Sequence, residues 1–263
     1  MPAEPLAQPE GSNGFVAAVA FLTRVPMRAR LGPDALSGAL GWFPLVGSLV
    51  GLVAAGAYAA AYPWMPSLLA AFIAVTFGIV ATGAFHEDGL ADTADALGSG
   101  WEGTRAIEVM RDPRLGTYGT LALVVSVGWR VLAVGSLTPV VALAGLIAAH
   151  ALGRLVSVAM MATTPAAVTD GLGSSGVAQV TPAGISLAAL FGLSLTVAAL
   201  GWWAGPALLL AFAATWALRA LARRRIGGVT GDVLGAAEQL TEMTTLGVAA
   251  VAAWRGSAPW WMT

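Results

Sequence analysis

The chain has 263 residues, 57% of them hydrophobic and only 10% charged, with a mean hydropathy of +0.78. An ordinary soluble domain carries about 25% charged residues, so this is the composition of an integral membrane protein, expected to be all-α and polytopic. The balance of 13 cationic and 14 acidic residues leaves no basic face for nucleic acid, and the lack of cysteine excludes disulfides, zinc–thiolate sites and iron–sulfur clusters.

Residues 1–14 are rich in Pro, Glu, Gln, Ser and Gly and are expected to be disordered; residues 15–263 read as one integral-membrane domain. Residues 15–22 are apolar but too short to span, and arginines follow them rather than precede them. That predicts a short interfacial or re-entrant helix, with Arg24, Arg28 and Arg30 at the headgroups. Seven transmembrane helices are then expected at about 36–61, 66–85, 117–136, 139–162, 183–203, 206–221 and 232–254. Gly38, Gly41, Gly47 and Gly51 suit the first of these to close helix packing. Polar stretches at 86–114 and 163–182 (the latter with Asp170) read as loops. With this count, Arg24/Arg28/Arg30, Arg105/Arg111/Arg114 and Arg219/Arg223/Arg224/Arg225 fall on one side, and the opposite turns carry no cation. The arginine-rich side is the cytoplasmic one. No internal repeat is visible, which weighs against a transporter built from inverted halves.

The second span delivers the chain to His86-Glu87-Asp88-Gly89-Leu90-Ala91-Asp92-Thr93-Ala94-Asp95. In a helix Asp88, Asp92 and Asp95 stand at i, i+4 and i+7, on one face, and no lysine or arginine lies among them. Such like charges need compensation, and a hard divalent cation supplies it; the alternative is a solvated acidic loop capping a membrane helix. Arg111 and Arg114 flank Pro113 and precede two glycines, a turn that reads either as an anion grip or as a pair of headgroup anchors. Arg154, inside the fourth span, reaches a substrate phosphate or the acidic motif. Arg130 reads as a partner for Glu238 or Glu242, and His150 as an interhelical hydrogen-bonder. Asp232, after the glycines at 227, 228 and 231, is either a further metal ligand or the N-terminal charge of the last helix.

Five blocks carry a family resemblance, in order along nearly the whole chain. They are Phe21-Leu22-Thr23-Arg24-Val25-Pro26, Phe43-Pro44-Leu45-Val46-Gly47, the acidic block 86–95, Arg111-Asp112-Pro113-Arg114-Leu115-Gly116-Thr117-Tyr118-Gly119 and Gly227-Gly228-Val229-Thr230-Gly231-Asp232. Together they resemble cobalamin synthase, the membrane-bound adenosylcobinamide-GDP ribazoletransferase family. The acidic block departs from the family's commonest form at Ala96, where glycine is usual. The resemblance implies a single catalytic domain in the bacterial cytoplasmic membrane, its active site facing the cytoplasm. It implies Mg²⁺-dependent transfer of adenosylcobinamide phosphate from its GDP ester to α-ribazole or its 5′-phosphate, with release of GMP. Glu87, Asp88, Asp92, Asp95 and Asp232 would then hold one or two Mg²⁺, Asp92 or Asp95 would act as proton acceptor, and Arg111, Arg114 and Arg154 would hold phosphates. Lipid is an expected neighbour, and a homo-oligomer or an association with other B12-pathway enzymes an open possibility. Two rival readings are a CDP-alcohol-type phosphotransferase, whose diagnostic spacing is not met because Phe85 and Asp92 stand at key positions, and a cation transporter using the carboxylates.

Overall fold

The computed structural model describes residues 13–27, 33–169 and 172–256. Residues 1–12, Arg28, Arg30 and Asp170 therefore lie outside the described residues. Those described form helices and turns with no strand, as the composition requires of a chain in lipid.

In chain order the helices are α1 (Gly14–Leu22), α2 (Pro33–Leu40), α3 (Phe43–Ala61), α4 (Ser67–Thr82) and α5 (Phe85–Thr93). A π-helical turn, Ala94–Gly98, continues α5. There follow α6 (Gly103–Met110), α7 (Thr117–Gly135), α8 (Pro139–Thr163), α9 (Leu172–Gln179), α10 (Pro182–Leu200), α11 (Ala204–Ile226) and α12 (Gly231–Trp254). Three of these, α5, α6 and α9, fall where polar loops were expected.

The axis of the bundle is α8. A proline in its first turn fits the free N-terminal amides, and 15 of its 25 residues are buried. On one side α3 reaches it through Gly47 and Gly51: a Cβ on Gly47 would collide with the His150 carbonyl, and one on Gly51 with that of Leu146. This is the small-residue contact expected of helices that have no hydrophobic driving force between them in lipid. On another side α12 packs against α8 with most of its length buried.

The other elements set the site's end of the bundle. Gly83 (φ 70°) and Ala84 (φ 59°) both adopt left-handed backbone, and α5 leaves α4 at 91° to lie across the bundle end. Ala84 is a non-glycine residue in that region, an uncommon strain that fixes the corner. The N-terminal helix α1 is packed into the bundle: Phe21 stacks on Phe43 and meets the edge of Phe85, and the Arg24 amide donates to the Ala81 carbonyl at 2.8 Å.

Length and apolarity alone recover fewer spans than the seven expected. By length and apolarity, four helical stretches of the described residues can cross a membrane, or five if the bent α4–α5 pair is one span. The reasons are physical. Before its bend α4 has only 16 residues. Along α12 stand Asp232, Glu238, Gln239 and Glu242, which lower its hydropathy. Finally, α10 and α11 are joined through the short turn Gly201–Trp203 into one run of 45 residues, which is counted once. That joined run folds back at Gly201 (φ 56°): α10 starts where Gly184 and Leu187 approach Gly41, α11 starts in the cluster around Tyr58 and Leu146, and Arg219 returns to Thr163.

Candidate active site

The acidic motif occupies α5 and the π turn. At the first turn of α5, Glu87 is buried and Asp88 exposed, and both border the same cavity. Asp88 is exposed and, with Asp92, lines a cavity of about 520 Å³ whose far wall is Arg111, Asp112, Pro113 and Arg114. Gly89 lets the start of α12 close on this turn, since a Cβ there would lie 3.0 Å from the Asp232 Cα. Asp232 is thereby brought to the same acids, its helix capped by Thr230, whose hydroxyl accepts from the Val233 amide at 3.3 Å. The turn before it is fixed from outside: the Val229 amide donates to the Pro165 carbonyl and the Ala167 amide to the Val229 carbonyl, both at 2.9 Å.

Electrostatics mark this cluster. With its four acids, the stretch from α5 to the π turn lies beyond the apolar end of α4. Burial first, then Asp88, Asp232 and Asp95 in turn, push the Asp92 carboxyl from 3.8 up to about 7. Burial likewise raises Asp232, with Asp88 adding to it. Carboxylates gathered this closely, with Asp88 raising both of the others, suit a hard cation, and Asp88, Asp92 and Asp232 fit one by chemistry. Among the described residues no three acid or histidine side chains are already drawn together in a metal-holding group, so the fit is one of charge and donor type.

Asp95 stands apart from that face. Its Oδ2 accepts from the Gly116 amide at 2.7 Å and its Oδ1 from the Gly119 amide at 2.8 Å, so it caps the start of α7. A Cβ on either glycine would strike the Asp95 carboxylate, which explains both glycines of the 111–119 block. Arg114 is exposed and paired with Asp112, Nε to Oδ1 at 2.9 Å, and this hydrogen bond draws the Asp112 carboxyl down to about 2. Arg111 lines the cavity on the same wall.

Behind the cavity lies a second, buried constellation that the sequence only hinted at. Glu87 Oε1 takes Arg130 Nη2 at 2.9 Å and Gln239 Nε2 at 3.3 Å. Arg130 Nη1 reaches Glu242 Oε2 at 3.2 Å, and His150 Nδ1 lies 2.8 Å from Glu242 Oε1. Arg154 bonds Glu242 and lies 3.1 Å from Glu238, which also has His86 at 2.8 Å and the Ser157 hydroxyl at 2.7 Å. Arg154 is 1% exposed, so it stands in this network rather than in the cavity, and Glu87 is tied into it as well. The expected Arg130–Glu242 pair and the His150 hydrogen bond are both present. The signal for the rest was the i, i+4 pair Glu238 and Glu242 opposite two intrahelical arginines.

Residues 14–250 match the family described as cobalamin-5-phosphate synthase. An adenosylcobinamide-GDP ribazoletransferase of Sinorhizobium medicae is 39% identical over 252 residues, covering 89% of this chain and 94% of that one. Those of Shewanella frigidimarina (88% and 91%) and Ralstonia nicotianae (94% and 98%) are each 37% identical. No solved structure matches. With nearly its whole length matched, the chain belongs to the cobalamin-5-phosphate synthase family, a membrane-embedded transferase of cobalamin biosynthesis.

Proposed function

We propose that this enzyme transfers adenosylcobinamide phosphate from adenosylcobinamide-GDP to α-ribazole or its 5′-phosphate, at the cytoplasmic face of the membrane and with Mg²⁺. The observation that carries the reading is the single cavity of about 520 Å³ that has Asp88 and Asp92 on one wall and Arg111 and Arg114 on the other. Carboxylates suited to a cation, facing guanidinium forks suited to phosphate, are what a diphosphate requires. Held by Asp88, Asp92 and Asp232, Mg²⁺ would supply neutralising charge for the diphosphate oxygens.

The chain's own residues do the rest. Arg111 and Arg114 grip phosphate oxygens and orient the ester for attack by the ribose hydroxyl. The oxygen of that hydroxyl bonds to the cobinamide-linked phosphorus, the bond from that phosphorus to the GMP oxygen breaks, and GMP leaves. Of the two carboxylates weighed as acceptor of the hydroxyl proton, Asp95 spends both oxygens on backbone amides, whereas Asp92 lines the cavity. Asp92 is the one we assign, through an oxygen that the cation does not engage. Arg154 and Glu87 support the site from behind by holding α5 against α7, α8 and α12. The carboxylates lie at one end of the helices, which supports an enzyme opening to water over a transporter with access from both faces. The arginines that contact this end, Arg24 at Gly83, Arg219 at Thr163 and Arg225 at Glu102, support a cytoplasmic orientation.

The test is GMP release by the purified protein in detergent or liposomes, from adenosylcobinamide-GDP with either ribazole form, with and without EDTA. EDTA-sensitive GMP together with a cobalamin product is the expected result. A folded sample that releases no GMP with either acceptor would overturn the substrate assignment.

A further inference from the structure

The outer flank of α8 is not closed by its neighbour. Between α8 and α11 runs a groove of about 460 Å³, with Leu152, Val156 and Ala159 on one wall and Leu208, Phe212 and Trp216 on the other. Phe212 and Trp216 are 60% and 54% exposed, so the groove opens to the outside of the bundle. Its lining is apolar apart from Thr215, whose hydroxyl is spent on the Ala211 carbonyl, and the end nearest the site, where Thr163 and Arg219 stand.

Arg219 is held in place there. Its Nε donates to the Thr164 hydroxyl and its Nη2 to the Thr163 carbonyl, both at 2.7 Å, and its guanidinium lies 4.9 Å from the Trp216 ring centre. Two of its five N–H donors are used this way, which leaves an oriented fork for an anion. Arg223 is exposed one turn further along the same helix.

The dimensions match one leaflet of a bilayer. Leu152 to Thr163 and Leu208 to Arg219 each cover eleven steps. At helical rise that is about 16 Å, roughly half of a hydrocarbon core about 30 Å thick. The groove is apolar over the depth where acyl chains lie and cationic at the depth of phosphates.

We propose that this groove is an anionic-phospholipid site, with one acyl chain between α8 and α11 and the headgroup phosphate on Arg219. The site is linked to the carboxylate cavity by a short path. Thr163 and Thr164, which hold Arg219, run into Pro165–Ala167, which pair with Val229, three residues before Asp232. Lipid bound at Arg219 steadies the segment that presents Asp232.

Native mass spectrometry of the full chain in mild detergent, with phosphatidylglycerol or phosphatidylcholine added, tests this. The wild type should retain phosphatidylglycerol in preference, and Arg219→Ala should lower that retention about tenfold, as the loss of one charge-assisted contact implies. Ala159→Trp fills the groove without touching the arginine and should lower it as much. Arg225→Ala, whose side chain is paired with Glu102, should retain lipid like the wild type. Equal retention in wild type and Ala159→Trp overturns the proposal even where Arg219→Ala fails to fold. So does equal retention of the two lipids, or a groove occupied by a second copy, seen as a dimer that Ala159→Trp dissociates.

Discussion

Glu87 Oε1 lies 2.9 Å from Arg130 Nη2 inside the bundle, both side chains less than a tenth exposed, while Asp88, the next residue, is open to the cavity. One acid of the pair anchors the first turn of α5 and the other is presented outward. Removing one partner of a buried ion pair strands the other, at a cost of about 3–5 kcal/mol. Arg130→Ala should therefore lower the unfolding free energy by about that amount, measured by thermal or denaturant unfolding in detergent. A melting temperature equal to the wild type would show that Glu87 is not dependent on Arg130.

Arg154→Ala is expected to act in the same way. Its partners Glu238 and Glu242 are buried, so the loss belongs in stability and in the amount of folded enzyme. The Michaelis constant for the GDP ester, measured on the fraction that folds, should stay within about twofold. A selective rise in that constant with unchanged melting would return Arg154 to the phosphate.

Asp88→Asn and Asp92→Asn test the cavity acids. Each should lower transfer by a hundredfold or more, the order expected when charge stabilisation of a phosphoryl transfer is lost. Neither should melt below the wild type when metal is withheld, because each removes repulsion. Turnover near normal in either variant would take that residue out of the site.

Asp95 has a different expected outcome. As the cap of α7, its replacement by Ala should cost about 1–2 kcal/mol, and Gly119→Ala should cost at least as much because the new methyl meets the carboxylate. Asp95→Asn, which keeps one acceptor oxygen, should retain more activity than Asp88→Asn. If Asp95→Asn melted like the wild type yet transferred nothing, Asp95 would belong to the chemistry.

The pH dependence follows from Asp92. Folding raises its carboxyl from 3.8 to about 7. A raised folded value contributes stability that is full below 3.8 and lost as pH climbs towards about 7. Metal-free protein should accordingly melt at lower temperature as pH rises through that window, and Mg²⁺ should flatten the slope. A melting profile in EDTA that is level across the window would remove the mutual repulsion from the account.

Much of this was legible in the sequence, and the failures have identifiable causes. The acidic block, the arginine wall and the glycines of α3 were readable because composition and spacing alone specify them. The role of Asp95 was not, because spacing along one helix cannot show that the Gly116 and Gly119 amides of α7 take both of its oxygens. For Arg154 the limit is another: a position along a helix gives depth, not direction, and only the packing of α12 shows that Glu238 and Glu242 meet it. The 91° corner at Gly83–Ala84 was hidden because an alanine seldom marks a left-handed turn.

One feature of α12 bears on how the protein is made. This last helix supplies Glu238, Gln239 and Glu242, and with them most of the acidic partners of Arg130 and Arg154. A ribosome delivers α7 and α8 first, so both arginines enter the membrane before these counter-ions exist. Until α12 is inserted, Arg154 lacks both of its carboxylate partners and Arg130 has only Glu87. The same helix then brings Asp232, so neutralisation of the interior and completion of the reaction centre happen in one event. A half-built chain can have neither a settled core nor a working site.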